Sequence, residues 1–321
     1  TALWLACWNG NAQLVRLLIR NGADANTSDN QRTTALMCAC FKVHEEIIKV
    51  LLRHGADVNT VDKNGAAALF IACKKGSQSI VDLLLQYKAV VDIKHQGGVT
   101  ALMNACVMGN VQIVKSLIRC GADVNVIDED DAMGKTPLMY ACVNSDDVDT
   151  VQLLLSYGAD VNIVDNDGFS ALSIACTLQR KQVIEMLLQH KANVNVKSKD
   201  GTTALMCACH ASRVDVVQLL LESDVKVNAS ANDGRTSLMI ACLHGEDGTV
   251  TALIDRGANV NVSTANGTTA LMVASYQGYV RVVSILLEHR AEIDATDKQG
   301  VTALMFACIA GHIPVVKELM N

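Results

Sequence analysis

Aromatic side chains make up only 3% of this 321-residue chain, although half of it is apolar. A core built around large rings is therefore excluded. Ala, Leu, Val, Ile, Met and Cys must fill it, so the elements carrying them have to approach closely. Proline occurs twice. No apolar run reaches the length of about 18 residues that marks a membrane-spanning helix. Strong charge of one sign is missing too: a net charge of -6 gives no support to bulk nucleic-acid or lipid binding. No secretory leader pattern is visible at Thr1. The chain opens without methionine and inside a repeat, so it reads as a piece of something longer.

Periodicity is what the chain has in abundance. A segment Thr34-Ala35-Leu36-Met37-Cys38-Ala39-Cys40 recurs from Thr203 to Cys209 and in close variants elsewhere. Aligned on the threonine, ten repeats begin at Thr1, Thr34, Ala67, Thr100, Thr136, Ser170, Thr203, Thr236, Thr269 and Thr302. Seven of the nine spacings are 33; the other two are 36 and 34. Length alone would suggest two domains. A fixed period of this size instead predicts one stacked array over 1–321 that grows by addition.

Twelve cysteines suggest a disulfide framework until they are placed. Nine share one repeat position: Cys7, Cys40, Cys73, Cys106, Cys142, Cys176, Cys209, Cys242 and Cys308, with Ser275 filling that position in the ninth repeat. A place filled by Cys or Ser beside an ever-present Ala wants a small side chain, and free Cys behaves as a small hydrophobe. Neighbours one repeat apart would be roughly 8–10 Å from each other, beyond the Cα separation of about 7 Å that a disulfide tolerates. Reduced thiols, and with them an intracellular, cytoplasmic location, are expected.

The third repeat shows the local grammar. Asp62-Lys63-Asn64-Gly65 is turn chemistry. Ala67 to Lys74 predicts a short helix of small residues, and Gly76-Ser77 interrupts it. Ile80, Val81, Leu83, Leu84 and Leu85 then recur at helical spacing. The endings Gly22-Ala23-Asp24 and Gly55-Ala56-Asp57 supply a glycine suited to a left-handed helix C-cap. Each repeat is thus turn, helix, short loop, helix. Neither helix can bury its face alone, so each repeat depends on its neighbours.

At these residues the chain resembles the ankyrin repeat family, whose repeats open Thr-Pro-Leu-His-x-Ala-Ala and close Gly-Ala-Asp-x-Asn. Thr136-Pro137-Leu138 keeps the family proline. Gly10, Gly76, Gly109, Gly245, Gly278 and Gly311 keep the inter-helix glycine. Gly121-Ala122-Asp123-Val124-Asn125 and Gly158-Ala159-Asp160-Val161-Asn162 keep the ending. The resemblance implies an all-α solenoid of ten helix-loop-helix repeats, the first and last incomplete, joined by β-hairpin-like turns.

Departures from the family pattern carry information. Nine repeats lack the proline, and the motif histidine is replaced by Trp4, Met37, Phe70, Met103, Met139, Ser173, Met206, Met239, Met272 and Met305. That exchange should remove a hydrogen-bonding group and leave adaptable packing. Lys88, Lys191, Asp224 and Arg290 replace the C-cap glycine, and Arg32 stands where the hairpin glycine belongs. Each should cost up to about 1 kcal/mol if the left-handed backbone is kept.

In the family, hairpin tips and first helices line a concave groove, and specificity lies in the positions that vary. The two places after the repeated Ala-Cys pair hold Trp8, Phe41, Lys42, Lys74, Lys75, Val107, Met108, Val143, Leu178, His210, Leu243, His244 and Tyr276. With Phe169 at a hairpin tip, these are the candidate partner-binding residues. Rings placed at variable positions of an aromatic-poor chain suit hot-spot use, and contiguous exposed apolar surface usually marks an interaction site. Gap-filling against neighbouring repeats is the competing explanation. Lys42, Lys74 and Lys75 should orient an acidic segment. Asp128-Glu129-Asp130-Asp131 and Asp146-Asp147 place acid in enlarged loops of the fifth repeat, as solvated surface or as a direction signal.

Chemistry is hard to find. Gly134-Lys135-Thr136 resembles the end of a phosphate loop, but Glu129 stands where its first glycine is required. In Cys207-Ala208-Cys209-His210 the two cysteines point to different faces of a helix. Cys242 and His244 do the same. No metal-protease or hydrolase nucleophile motif is present. Neither a cofactor nor a metal is expected, and no enzyme activity. The expected function is non-catalytic binding of a protein or peptide, with an acidic segment and an apolar centre, by a monomer whose ends could make end-to-end contacts. Two alternatives stay open: a structural spacer or spring, and a regulatory segment of a larger enzyme or channel.

Overall fold

A computed structural model of the chain describes residues 1–128, 133–143 and 148–321. Two compact units divide it, Thr1–Asn166 and Asp167–Asn321. The N-terminal unit contains the helix pairs α1 (Ala2–Trp8) and α2 (Ala12–Arg20), α3 (Ala35–Lys42) and α4 (Glu45–Arg53), α5 (Ala68–Lys75) and α6 (Gln78–Gln86), α7 (Ala101–Val107) and α8 (Val111–Arg119), and α9 (Pro137–Val143) and α10 (Val148–Ser156). In the C-terminal unit the pairs are α11 (Ala171–Thr177) and α12 (Lys181–Gln189), α13 (Ala204–His210) and α14 (Val214–Leu221), α15 (Ser237–His244) and α16 (Asp247–Asp255), α17 (Ala270–Gln277) and α18 (Val280–Glu288), and α19 (Ala303–Ala310) and α20 (Ile313–Met320). Within each unit, first helices pack on first helices and second on second. The architecture is the expected all-α stack of repeats.

The repeated threonine precedes most of the first helices for a physical reason. Its hydroxyl oxygen accepts the backbone N–H three residues on, from Met37 to Thr34 at 3.2 Å and from Met272 to Thr269 at 3.4 Å. This satisfies one of the orphan donors at the helix start. The methionines were expected only to pack. In three repeats they do more: the Sδ atoms of Met37, Met103 and Met272 accept the backbone N–H of Thr34, Thr100 and Thr269. The lost histidine is thus partly replaced as a hydrogen-bonding group.

Hairpin turns join the repeats, several of them closed by a single antiparallel bridge such as Ser28 to Thr34 or Ser230 to Thr236. Tip-to-tip backbone bonds link successive hairpins within each unit, for example Lys63 N–H to Gln31 O at 3.0 Å and Ala265 N–H to Asp233 O at 3.0 Å. The closing Asn of the repeat adds a second link, because both ends of its amide reach the next repeat. Asn26 donates to Gly55 O at 3.0 Å and accepts from Asp57 N–H at 2.7 Å.

Arg32, Lys88, Lys191 and Arg290 do adopt the left-handed backbone expected of them. Asp224 does not. There α14 stops at Leu221, and bonds from Ser223 N–H to Leu220 O and from Val225 N–H to Ser223 O build a different turn. Left-handed residues also occur between helices at Val43, Gln179 and Ser212. A Cβ on Gly245 would meet the Tyr279 ring at 2.7 Å, and one on Gly10 the His44 ring at 2.9 Å. The residue 34 places after Val43 is Ser77, which has no ring.

None of the twelve cysteines is in a disulfide, and the ladder from Cys7 to Cys242 is buried. Cys308 departs from the expectation and is exposed. Ser275 is buried at the ladder position, and its hydroxyl has no partner among the described residues.

Candidate partner-binding face

Apart from Phe169, which lies in the hairpin before α11, the predicted residues sit where first helices end. In the N-terminal unit Trp8 closes α1, Phe41 and Lys42 close α3, and Lys74 and Lys75 close α5. Lysine suits such ends, where unsatisfied carbonyls carry partial negative charge. The rings stay accessible: Trp8 is 39% and Phe41 47% exposed. Trp4 stacks on Trp8 with ring centroids 5.2 Å apart, and Trp8 on Phe41 at 6.2 Å. Lys42 and Lys75 then reach back over the ring of the preceding repeat. Lys42 Nζ lies 3.8 Å from the centre of the Trp8 ring, and Lys75 Nζ 3.8 Å from that of Phe41. At exposed sites such contacts contribute about 0.5–1 kcal/mol each.

Beside this stack opens a cavity of about 400 Å³, lined by Trp4, Trp8, Phe41, Phe70, Lys74, Lys75 and His95 among others. Phe70 and His95 stack face to face at 4.5 Å. Among the described residues no carboxylate forms an ion pair with Lys42, Lys74 or Lys75. Asp62 also lines the cavity, but its Oδ1 accepts the N–H groups of Asn64 and Ala66 and holds its own turn. The result is an aromatic wall with a cationic rim. Val107, Met108 and Val143 are exposed apolar residues outside this cavity.

The acidic fifth repeat is different from what its sequence suggests. Asp128 is buried, accepting the Lys135 backbone N–H at 2.6 Å and the Tyr140 hydroxyl. It braces the hairpin instead of facing a partner. Glu129, Asp130, Asp131, Asp146 and Asp147 lie outside the described residues.

In the C-terminal unit, Phe169, His210 and Leu243 line a cavity of about 270 Å³ with Thr177, Met206, Cys207 and Arg235. Leu243 and Arg235 also line its neighbour of about 280 Å³. His210 ends α13 and His244 ends α15, and their rings meet: His244 Nε2 is 3.2 Å from His210 Nδ1. Tyr276, 49% exposed, stands edge-on to Phe306 at 6.0 Å. Leu178 is half-buried and lines neither cavity.

Sequence reasoning missed Trp4, Phe70, His95, Arg235 and Phe306 as members of these clusters. Trp4 and Phe70 did carry a signal, since a ring replaces the usual methionine there. His95 carried none: it lies in a hairpin, and only folding lays it over Phe70. Burial raises the Cys207 thiol above its ordinary value, with a bond to Thr177 opposing the shift. Among the described residues, no group of three or more His, Cys, Asp or Glu side chains could hold a metal ion. Among them, too, no helix is long and apolar enough to cross a membrane.

Comparison with known proteins agrees with this architecture. The family model for ankyrin repeats, in copies of three, matches residues 1–62, 59–128, 102–198, 192–264 and 238–321. A search of curated proteins finds no match. The overlapping family matches run from the first residue to the last, and the chain belongs to the ankyrin repeat family.

Proposed function

We propose that this chain is a non-catalytic interaction scaffold that holds a protein or peptide on the face formed by hairpin tips and first-helix ends. Ankyrin repeats are generally protein–protein interaction modules, and the family is typically non-catalytic. The observation that carries the reading is the cluster of Trp8, Phe41, Lys42, Lys74 and Lys75. Three cations with no carboxylate partner among the described residues surround rings that the fold leaves open, in a chain that uses rings sparingly. An acidic segment carrying an apolar side chain complements both features. The carboxylates would set orientation and association rate, and the apolar group would supply the desolvated anchor. A preformed face lowers the ordering cost of binding.

The test is selection of a displayed random peptide library on the whole chain, at low salt. Peptides combining Asp or Glu with a bulky apolar residue should be enriched. Their affinity should fall at least about tenfold in a Lys42→Glu, Lys75→Glu variant, with the circular dichroism of the variant unchanged. Enriched peptides that bind this variant as tightly as the unaltered chain would move the site elsewhere. A library that yields no acidic binders at all would remove the reading.

A further inference from the structure

We propose that His210 and His244 form a two-imidazole site for a divalent transition-metal ion, joining one repeat to the next. The two histidines lie 34 residues apart, at the C-terminal ends of α13 and α15. Helix C-termini favour cations, and neutral imidazole is the common ligand for zinc, nickel and copper. The spacing fits an ion. Two nitrogens each about 2.1 Å from one Zn²⁺, at a bond angle of about 90–109°, stand roughly 3.0–3.4 Å apart. His210 Nδ1 and His244 Nε2 are separated by 3.2 Å. Rings aimed at such an ion have centroids about 4.6–5.3 Å apart, whereas an end-to-end N–H···N bond of this length holds them at about 5.5 Å. The observed separation is 4.9 Å, with the ring planes at 77°. The axes are therefore inclined, as two ligands sharing a centre require.

Both rings bind as neutral species. One keeps its proton on Nε2 (His210), the other on Nδ1 (His244), so a single tautomer change replaces the hydrogen bond with two metal bonds and releases no net proton. Arg235, lining the same cavity as His210, is paired with Asp233. Cys207 lines that cavity as well, but it is buried and held to Thr177. The protein thus supplies two ligands and leaves the other positions open, next to an apolar cavity, for water or a donor from another molecule.

The inference does not depend on peptide binding, because the ion is titrated into the chain alone. The experiment uses the whole chain carrying Cys120→Ser and Cys308→Ser, which removes the two exposed thiols. Long-range ¹⁵N imidazole spectra are recorded at neutral pH as ZnCl₂ is added. Coordination shifts are expected at His210 Nδ1 and His244 Nε2, saturating near one equivalent. His54, His190 and His289 each bond Nδ1 to a carbonyl of their own helix and serve as internal controls. His244→Ala, and the milder His244→Gln, should each weaken zinc affinity at least about tenfold. Equal responses from the control histidines, or unchanged affinity in both variants, overturn the site.

Discussion

One asparagine per repeat shows how much a single side chain can hold together. Asn26, Asn59, Asn125, Asn195, Asn228 and Asn261 each donate an amide hydrogen to a carbonyl in the next repeat. Each also accepts a backbone N–H there through its oxygen. The end of the third repeat departs from this rule. Asp92 takes the position and accepts from Asp123 N–H at 3.2 Å. An ionised carboxylate has no hydrogen to give in return. Burial, against the pull of the Asp123 N–H, raises the Asp92 carboxyl above its ordinary value. The sign follows. A raised folded value means that the stability Asp92 contributes is complete below the unfolded carboxyl value and is lost as pH rises through the folded one. Asp92→Asn should therefore stabilise the chain at neutral pH by at most about 1 kcal/mol, since it regains one hydrogen bond in a partly exposed place. The gain should shrink as the solution is acidified. Denaturant melts of both proteins at pH 7 and pH 3.5 read this directly, and a gain independent of pH would mean that the ionised carboxylate is not the cause.

Among the elements, the third repeat has the weakest first helix by its own chemistry. Eight of the other first helices begin with a Thr or Ser whose hydroxyl accepts the N–H three residues on in a bond of 3.2–3.4 Å. Thr136 does the same for α9 at 3.3 Å. Ala67 precedes α5 with the same extended backbone, φ −91° and ψ 165°, but offers no acceptor. Its place still makes the antiparallel bridge to Val61, so the local frame for a cap is already present. Ala67→Thr should add the missing hydrogen bond and stabilise the chain by about 1 kcal/mol. α5 presents Lys74 and Lys75, so the same change should slow amide hydrogen exchange in α5 without shifting that of α17, in the other unit. A loss of stability would show that the site at Ala67, only 2% exposed, cannot admit the larger side chain.

Over the whole molecule, what was legible in the sequence is what one repeat decides by itself. The 33-residue period, the helix pairs and the thiol ladder all follow from local pattern and small size. The clusters on the binding face were legible only in part. Trp8, Phe41, Lys42 and Lys75 could be named as variable residues. That Lys42 lies over Trp8 and Lys75 over Phe41 depends on how one repeat is rotated against the next, which no periodicity states. Asp128 shows the reverse error: an acid run reads as solvated surface, yet the carboxylate turns inward once Lys135 and Tyr140 offer it hydrogen bonds. The thiol ladder leads to a property of the entire chain. Burial pushes the ladder thiols Cys7, Cys73 and Cys142 up to about 12, and Cys38, outside the ladder, up to about 11. Cys40, Cys209 and Cys242 are raised further by the same cause. Unfolded thiols lose their protons near pH 8.5. Between that value and the folded ones, the unfolded chain binds fewer protons than the native chain, so stability falls as pH rises. Each such thiol adds a slope of up to about 1.4 kcal/mol per pH unit. The melting temperature should accordingly drop steeply between about pH 9 and 11, under reducing conditions. Lysine and tyrosine titrate in the same range, so the deciding comparison is a variant with Cys73→Ala and Cys142→Ala. It should start less stable at pH 7, because two buried side chains are cut back, and lose less stability per pH unit above 9. An alkaline slope equal to that of the unaltered chain would assign the loss to lysine and tyrosine and not to the ladder.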